Sequence, residues 1–216
     1  MRIEQIRYVI GIDEAGRGSL AGPVSVAAVV IMSRLNLDRL LRSKLGTERF
    51  DLGFGSLHDS KKLSAKKREQ WFEWLKQKKK SGQLKFVVSL VGEKIIDRIG
   101  IVRAVRLGIK RCLDRLDLKP ERCRILLDGS LQAPKIYRHQ RTIIRGDEKI
   151  PVIMLASIIA KVHRDRKMIC LAKIFPQYGF EIHKGYGTRA HYRALRRHSL
   201  SPLHRRSFLK NFRPRY

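Results

Sequence analysis

Residues 8–18, YVIGIDEAGRG, carry an apolar run straight into two adjacent carboxylates, Asp13 and Glu14, and then into a glycine–arginine–glycine turn. A strand interior is a poor place for an unpaired carboxylate, because burying the charge is costly or shifts its pKa. Two acids side by side at the end of such a run call for a compensating cation. The rest of the chain is rich in the opposite sign: 48 Lys plus Arg against 19 Asp plus Glu, a net charge of +29. A bound divalent cation removes the conflict at Asp13 and Glu14. The wider positive field attracts polyanions, nucleic acid first and an anionic membrane surface second. No apolar run reaches the ~20 residues that span a bilayer. MRIEQIRY has no apolar core of signal-peptide length. A cytoplasmic protein is expected. Cys112, Cys123 and Cys170 are widely spaced and form no C-x-x-C pair, which argues against a disulfide framework or a structural zinc site. They read as small core residues.

Taken in order, residues 8–12 read as a buried strand and residues 23–32, PVSVAAVVIM, as a second. The linker 16–22 is short, so the two strands pair antiparallel. Residues 34–55 read as loop with one or two helical turns. Ser64 is placed to N-cap a helix running to about Lys80, with Trp71, Trp74 and Leu75 as its apolar stripe and Ser81-Gly82 as its end. Residues 84–91 are a third strand. From Glu93 the period turns helical, broken at Gly100. Val102, Val105, Ile109, Cys112, Leu113 and Leu116 recur on one face, and Pro120 follows the end. Residues 124–127 are a fourth strand running into Asp128, and residues 142–144 a fifth, followed by Arg145-Gly146-Asp147. Pro151 opens a long helix with Ala156 and Ala160 on a small-residue face, and Pro176 stops it. Residues 177–216 are rich in Gly, His, Arg and aromatics, with a helix at 191–197. No repeat or sharp change of composition marks a boundary, so residues 1–216 read as one domain with 177–216 as a C-terminal helical subregion. The pattern predicts a mixed sheet flanked by helices, an α/β fold.

Asp13-Glu14, Asp128 and Asp147 each follow a predicted strand, where ligand sites of open α/β sheets collect. Hard oxygen ligands select Mg²⁺ or Mn²⁺, and two such ions about 4 Å apart activate water and stabilise the leaving oxygen of a phosphodiester. The bland reading of Asp128 or Asp147 alone is a turn or cap residue. Asp165 competes for the fourth ligand position. Its alternative is an ion pair with Lys161 four residues earlier, with Ser157 a further turn back on the same face; spacing leaves Asp147 and Asp165 unresolved. Gly16, Arg17 and Gly18 form either an ordinary turn or a loop that grips a phosphate or a sugar hydroxyl. Ser60 and Lys61, in HDSKKLS, are candidate phosphate contacts or merely exposed residues at a helix start. In KGYG, the Tyr186 ring between glycines and beside Lys184 suits stacking on a sugar or base, against the alternative of a partly buried tyrosine. The seven histidines show no zinc spacing and read mostly as surface residues. Charge alone also fits a non-catalytic RNA- or DNA-binding protein, and the acids also fit a nuclease acting on DNA only.

Several segments in order resemble ribonuclease HII, the type 2 ribonucleases H: GIDEAGRG with AGPV, HDSKKLS, LLDG, RGD before PVIMLASIIAKVHRD, and FPQYGFEIHKGYGT leading to HRRSF. The resemblance spans nearly the whole chain. It implies an RNase H-like fold, a central mixed five-stranded sheet flanked by helices with a C-terminal helical portion. It implies a monomeric endonuclease that cuts the RNA strand of RNA–DNA hybrids and the 5′ side of ribonucleotides embedded in duplex DNA, leaving 3′-hydroxyl and 5′-phosphate. By motif, Asp13, Glu14, Asp128 and Asp147 are the implied ligands of Mg²⁺ or Mn²⁺, ahead of Asp165. Gly16, Arg17 and Gly18 match the loop that reads the ribose 2′-hydroxyl, and Tyr186 the ring that packs on the following deoxy sugar. The chain departs from the family at Ser19, where proline is common, at Arg145, where lysine is usual, and at Gly100, where asparagine is usual. The short stretch before Tyr8 favours HII over HIII, whose members carry an N-terminal extension.

Overall fold

The computed structural model describes residues 6–31 and 63–212. The expectations for residues 34–55 and for Ser60 and Lys61 lie outside the described residues. A five-stranded mixed sheet organises the rest, in the order β3-β2-β1-β4-β5. Strand β1 (Tyr8–Ala15) is central. It pairs antiparallel with β2 (Val24–Ile31), with Asp13 opposite Ala27, and parallel with β4 (Cys123–Asp128), with Ile12 opposite Leu127. Strand β3 (Leu84–Val91) lies antiparallel outside β2, and the short β5 (Gln140–Ile143) parallel outside β4.

Alternation along the strands supplies a core on each face. Val9, Ala15, Ala27, Val29 and Leu126 face α1 (Ala65–Lys80) and the long helix that starts at Pro151. Ile10, Ile12, Val26, Ala28, Ile125 and Leu127 face the helices α2 (Glu93–Ile99) and α3 (Ile101–Leu116). Ser64 caps α1 as expected, its Oγ accepting from the Lys67 N–H at 3.3 Å. The buried stripe of α1 is Trp71, Phe72 and Leu75, with Trp74 only partly covered. Gly100 ends α2 and begins α3 at φ +80°, a left-handed conformation that glycine adopts without strain. Val102 is 48% exposed, against expectation, because the buried face of α3 starts only at Ala104 and Val105. Lys79 Nζ donates to the Phe86 carbonyl and Arg115 Nη1 to the Val88 carbonyl, both on the edge strand β3.

After β5 come two helices, α4 (Gly146–Lys149) and α5 (Pro151–Ile174). The first turn of α5 lies directly on β1. A Cβ on Gly11 would stand 2.3 Å from the Val152 carbonyl oxygen, so only glycine admits this approach. Ala156 and Ala160 are buried in the same interface. A third cluster joins Leu20 and Ala21 of the turn after β1 to Met168 and Leu171 of α5 and to the C-terminal segment, which holds α6 (Phe180–His183) and α7 (Arg189–His198). There the isolated bridge between Ala21 and His204 ties the end of the chain to the turn. Among the described residues no helix is long and apolar enough to cross a membrane. Cys112 and Cys123 are buried as expected; Cys170, on the outward face of α5, is exposed.

Candidate active site

Strand β1 runs through its acids rather than ending before them, so Asp13 and Glu14 are strand residues. Parallel pairing puts Asp13 one residue beyond the Ile12–Leu127 pair, beside Asp128 at the end of β4 and on the face that α5 covers. Asp13 is 5% exposed. Its Oδ1 accepts from the Glu14 N–H at 2.7 Å, and the Ser157 side chain on α5 hydrogen-bonds its carboxylate. Burial holds the Asp13 carboxyl well above the ordinary range; the Glu14 and Asp128 charges push the same way, and the Ser157 bond opposes them. Glu14 is raised too, by burial and by Asp128, against the pull of Arg17, whose Nη1 lies 3.5 Å from Glu14 Oε1. Three carboxylates from two strands thus act on one another.

Asp147 does not end a strand. It sits in α4, where Arg145 turns the chain at φ +57°. Its N–H donates to Asp128 Oδ1 at 3.2 Å, and its side chain is buried, the residue being 1% exposed. Gly146 makes room for this: a Cβ there would meet Ile153 Cδ1 at 2.7 Å and Asp128 Oδ1 at 3.4 Å. The donors are all hard oxygens, the chemistry that suits Mg²⁺ or Mn²⁺. Among the described residues no three acidic, histidine or cysteine side chains stand close enough to enclose an ion; the chemistry fits, and closure requires the carboxylates to draw inward. Asp165 is engaged elsewhere, 2.9 Å from Lys161 Nζ and 3.9 Å from Arg68 Nη2, the ion pair that its spacing allowed.

From Glu14 a groove of about 340 Å³ runs past Gly16, Arg17 and Gly18 to Tyr186, walled by Ser157 and Lys161 of α5 and by Arg68. Tyr186 is 36% exposed, with Lys161 Nζ 5.4 Å and Arg164 Cζ 5.2 Å from its ring centre. Lys184 is not part of the lining; its ammonium donates to the Glu181 carbonyl. Arg68, Lys161 and Ser157 escaped assignment from sequence. The i, i+4 step from Ser157 to Lys161 is the available signal, but in the sequence reading Lys161 enters only as the ion-pair partner of Asp165.

The histidines are corrected more sharply. His183, His191 and His204 are buried, not surface residues. Their backbone partners assign the tautomers. The Ser201 N–H donates to His204 Nδ1 at 2.9 Å, so His204 Nε2 donates to His191 Nε2 at 3.0 Å, and His191 Nδ1 donates to the Tyr186 carbonyl at 3.0 Å. His183 stacks on His191 with ring centres 4.4 Å apart; it accepts from the Gly185 N–H and donates to the Tyr178 carbonyl. All three are neutral, and burial pushes His191 and His204 down to about 4.

Solved structures share this architecture. The PCNA:RNase HII complex from Archaeoglobus fulgidus aligns at TM-score 0.71 with 24% identity, over 96% of this chain and 98% of that one. Ribonuclease H2 from Pyrococcus horikoshii OT3 aligns at 0.69 with 26% identity, over 93% of each. Bst-RNase HIII, solved in complex with Mn²⁺, aligns at 0.60 with 18% identity, over 92% of this chain and 64% of that one. The fold is RNase H-like, and the chain is an enzyme of the ribonuclease H class, an endonuclease. Residues 10–211 match the Ribonuclease HII family. Ribonuclease HII of Coxiella burnetii (strain Dugway 5J108-111) is 39% identical over 200 residues, 93% of this chain and 87% of the relative. That of Endomicrobium trichonymphae is 44% identical, over 93% and 84%. The chain belongs to the ribonuclease HII family.

Proposed function

We propose that this chain cuts the RNA strand of RNA–DNA hybrids and nicks duplex DNA on the 5′ side of an embedded ribonucleotide, leaving 3′-hydroxyl and 5′-phosphate, a step in ribonucleotide removal during DNA repair and replication. Asp13, Glu14, Asp128 and Asp147 would hold Mg²⁺ or Mn²⁺. When bound, such ions activate water and neutralise the leaving oxygen. The observation that carries the reading is the raised carboxyls of Asp13 and Glu14, buried and pressed by the neighbouring Asp128 charge, at the head of a groove that is otherwise basic. Carboxylates that repel one another in a cation-rich chain are best explained by a cationic ligand.

The protein's own groups bind and orient the strand. Lys161 and Arg68 flank the groove as phosphate partners. The Gly16–Arg17–Gly18 turn brings backbone close enough to recognise a ribose 2′-hydroxyl, the group that distinguishes RNA from DNA. The Tyr186 ring offers an apolar face to the next sugar, which packs closely only if it lacks that hydroxyl. Ser60 and Lys61 would serve as further phosphate contacts.

The test is a labelled duplex carrying one ribonucleotide, incubated with Mg²⁺, with chelator, and with Asp13→Asn. A single nick at the ribonucleotide is expected with Mg²⁺ alone, while Asp13→Asn still shifts the duplex in a gel. No cleavage by the metal-loaded protein, or equal cleavage of an all-DNA duplex, would exclude the reading.

A further inference from the structure

Arg164 and Arg205 are the two largest charged side chains in the interior, both 0% exposed. Among the described residues neither is ion-paired to a carboxylate; every hydrogen bond of their guanidinium groups goes to a main-chain carbonyl of one turn. Arg164 Nε donates to Pro23 at 3.0 Å and Nη2 to Ala21 at 3.3 Å. Arg205 Nε donates to Gly22 at 3.0 Å and Nη1 to Arg17 at 2.9 Å. Four carbonyls of the turn between β1 and β2 are thus held by two guanidinium groups from distant parts of the chain.

The fit is close. A Cβ on Gly16 would stand 1.8 Å from Arg164 Nε, so the guanidinium occupies the space that any other residue's side chain would need. On the other side the same group lies under Tyr186, Cζ 5.2 Å from the ring centre. The turn and the Tyr186 loop are joined directly as well, because the Leu20 and Ala21 N–H groups both donate to the Gly185 carbonyl. Arg164 therefore touches Gly16, the far end of the turn and Tyr186 together.

As packing, this is an expensive choice. Two buried cations repel, and the Arg205 pKa falls to about 10 through burial and the nearby Arg164 charge. Arg164 Nη1 and Arg205 Nη2 have no hydrogen-bond partner among the described residues. Glu93 and Asp97 act on Arg205, and Asp165 on Arg164, only from a distance; a buried cation without a directly bonded carboxylate is destabilising, and apolar residues of similar volume commonly replace such groups without loss. What apolar residues do not supply is a rigid planar fork that fixes several carbonyls at once.

We propose that Arg164 and Arg205 are positioning residues that lock the Gly16–Pro23 turn and the Tyr186 ring into one fixed relation, and so set how strictly the groove requires a ribose followed by a deoxyribose. The proposal rests on the reading of the turn as a 2′-hydroxyl reader and of Tyr186 as a stacking ring. Through Arg17, Arg205 fixes where the ribose is read; through the ring, Arg164 fixes where the next sugar packs. Spacing between the two decides whether a junction fits better than continuous RNA.

The experiment measures kcat and KM on two substrates, a duplex with one ribonucleotide and a continuous RNA–DNA hybrid. The proteins are wild type, Arg164→Lys, Arg205→Lys, Tyr186→Ala and the Arg164→Lys/Tyr186→Ala double variant, each confirmed folded at the assay temperature by circular dichroism. Lysine keeps the charge and loses the fork. Arg164→Lys is expected to lower the ratio of kcat/KM for junction over continuous hybrid by about tenfold. The double variant should lower that ratio no further than Tyr186→Ala alone. Equal losses on both substrates, multiplicative losses in the double variant, or failure of both lysine variants to fold would reduce the arginines to structural members and overturn the proposal. A wild-type protein that cuts neither substrate, or both without preference, refutes instead the underlying reading, and that result is visible before any variant is made.

Discussion

The Asp147 backbone N–H donates to Asp128 Oδ1 across 3.2 Å, so the carboxylate at the end of β4 is also the anchor of α4. The two duties separate by substitution. Asp128→Asn keeps an acceptor oxygen for that N–H and loses a ligand charge. Its unfolding free energy is expected within about 1 kcal/mol of wild type, while Mg²⁺-dependent cleavage falls by about a hundredfold or more. Asp128→Ala strands the buried N–H and should lose stability as well, by about 1–3 kcal/mol. Urea unfolding set beside a cleavage assay checks both.

The raised carboxyls give a pH dependence of known sign. The folded pKa values of Asp13 and Glu14 lie above their ordinary values of 3.8 and 4.5. A carboxyl shifted upward on folding contributes stability that is complete below its unfolded pKa and is lost as pH rises through its folded pKa. Metal-free protein should therefore lose stability from this pair as pH climbs out of the acid range. A cation that binds the ionised form restores it. The rise in Tm on adding Mg²⁺ is expected to be larger near pH 8 than near pH 5.5, and the cleavage rate should increase over the same interval. A metal-induced rise that is the same at both pH values would contradict this.

Neutral, buried histidines act in the opposite direction. His191 and His204 are depressed from 6.5 to about 4. Their contribution is complete above pH 6.5 and is lost as pH falls from there toward 4, at about 1.4 kcal/mol per pH unit for each group that stays unprotonated. Hydrogen exchange on lowering the pH should show residues 183–204 losing protection before the strands do. Uniform loss across the sheet and this segment would count against it.

Gly11 and Gly18 make a contrast within one segment. A Cβ on Gly11 meets the Val152 carbonyl at 2.3 Å and the Ile153 nitrogen at 2.8 Å, both main-chain atoms; one on Gly18 meets nothing within 4 Å. Gly11→Ala must lift the first turn of α5 off the sheet, at about 1–3 kcal/mol or more. Gly18→Ala should change unfolding free energy by less than about 0.5 kcal/mol. Urea midpoints of the two variants decide it.

What was legible in sequence was what local pattern encodes. The apolar run into Asp13-Glu14, the cap at Ser64, the break at Gly100 and the long helix after Pro151 all depend on neighbours within a few residues, and each is present. The burial of His183, His191 and His204 depends on Ala21 pairing with His204, a contact no periodicity announces. Arg164 bonds a carbonyl 141 positions away, a contact that no local spacing encodes. Asp147 belongs to a helix because Arg145 takes a left-handed conformation that residue type alone does not foretell.

The cations on β3 have a consequence beyond the site. An outermost strand leaves a row of carbonyls facing water, ready to be extended by a stray polypeptide. Here the oxygens of Phe86 and Val88 already accept from Lys79 and Arg115. An incoming segment would have to displace an ammonium and a guanidinium donor and bring its backbone alongside a cationic flank. The same excess of basic side chains that gives the chain its positive field thus guards the β3 border of the sheet against self-association into fibrils.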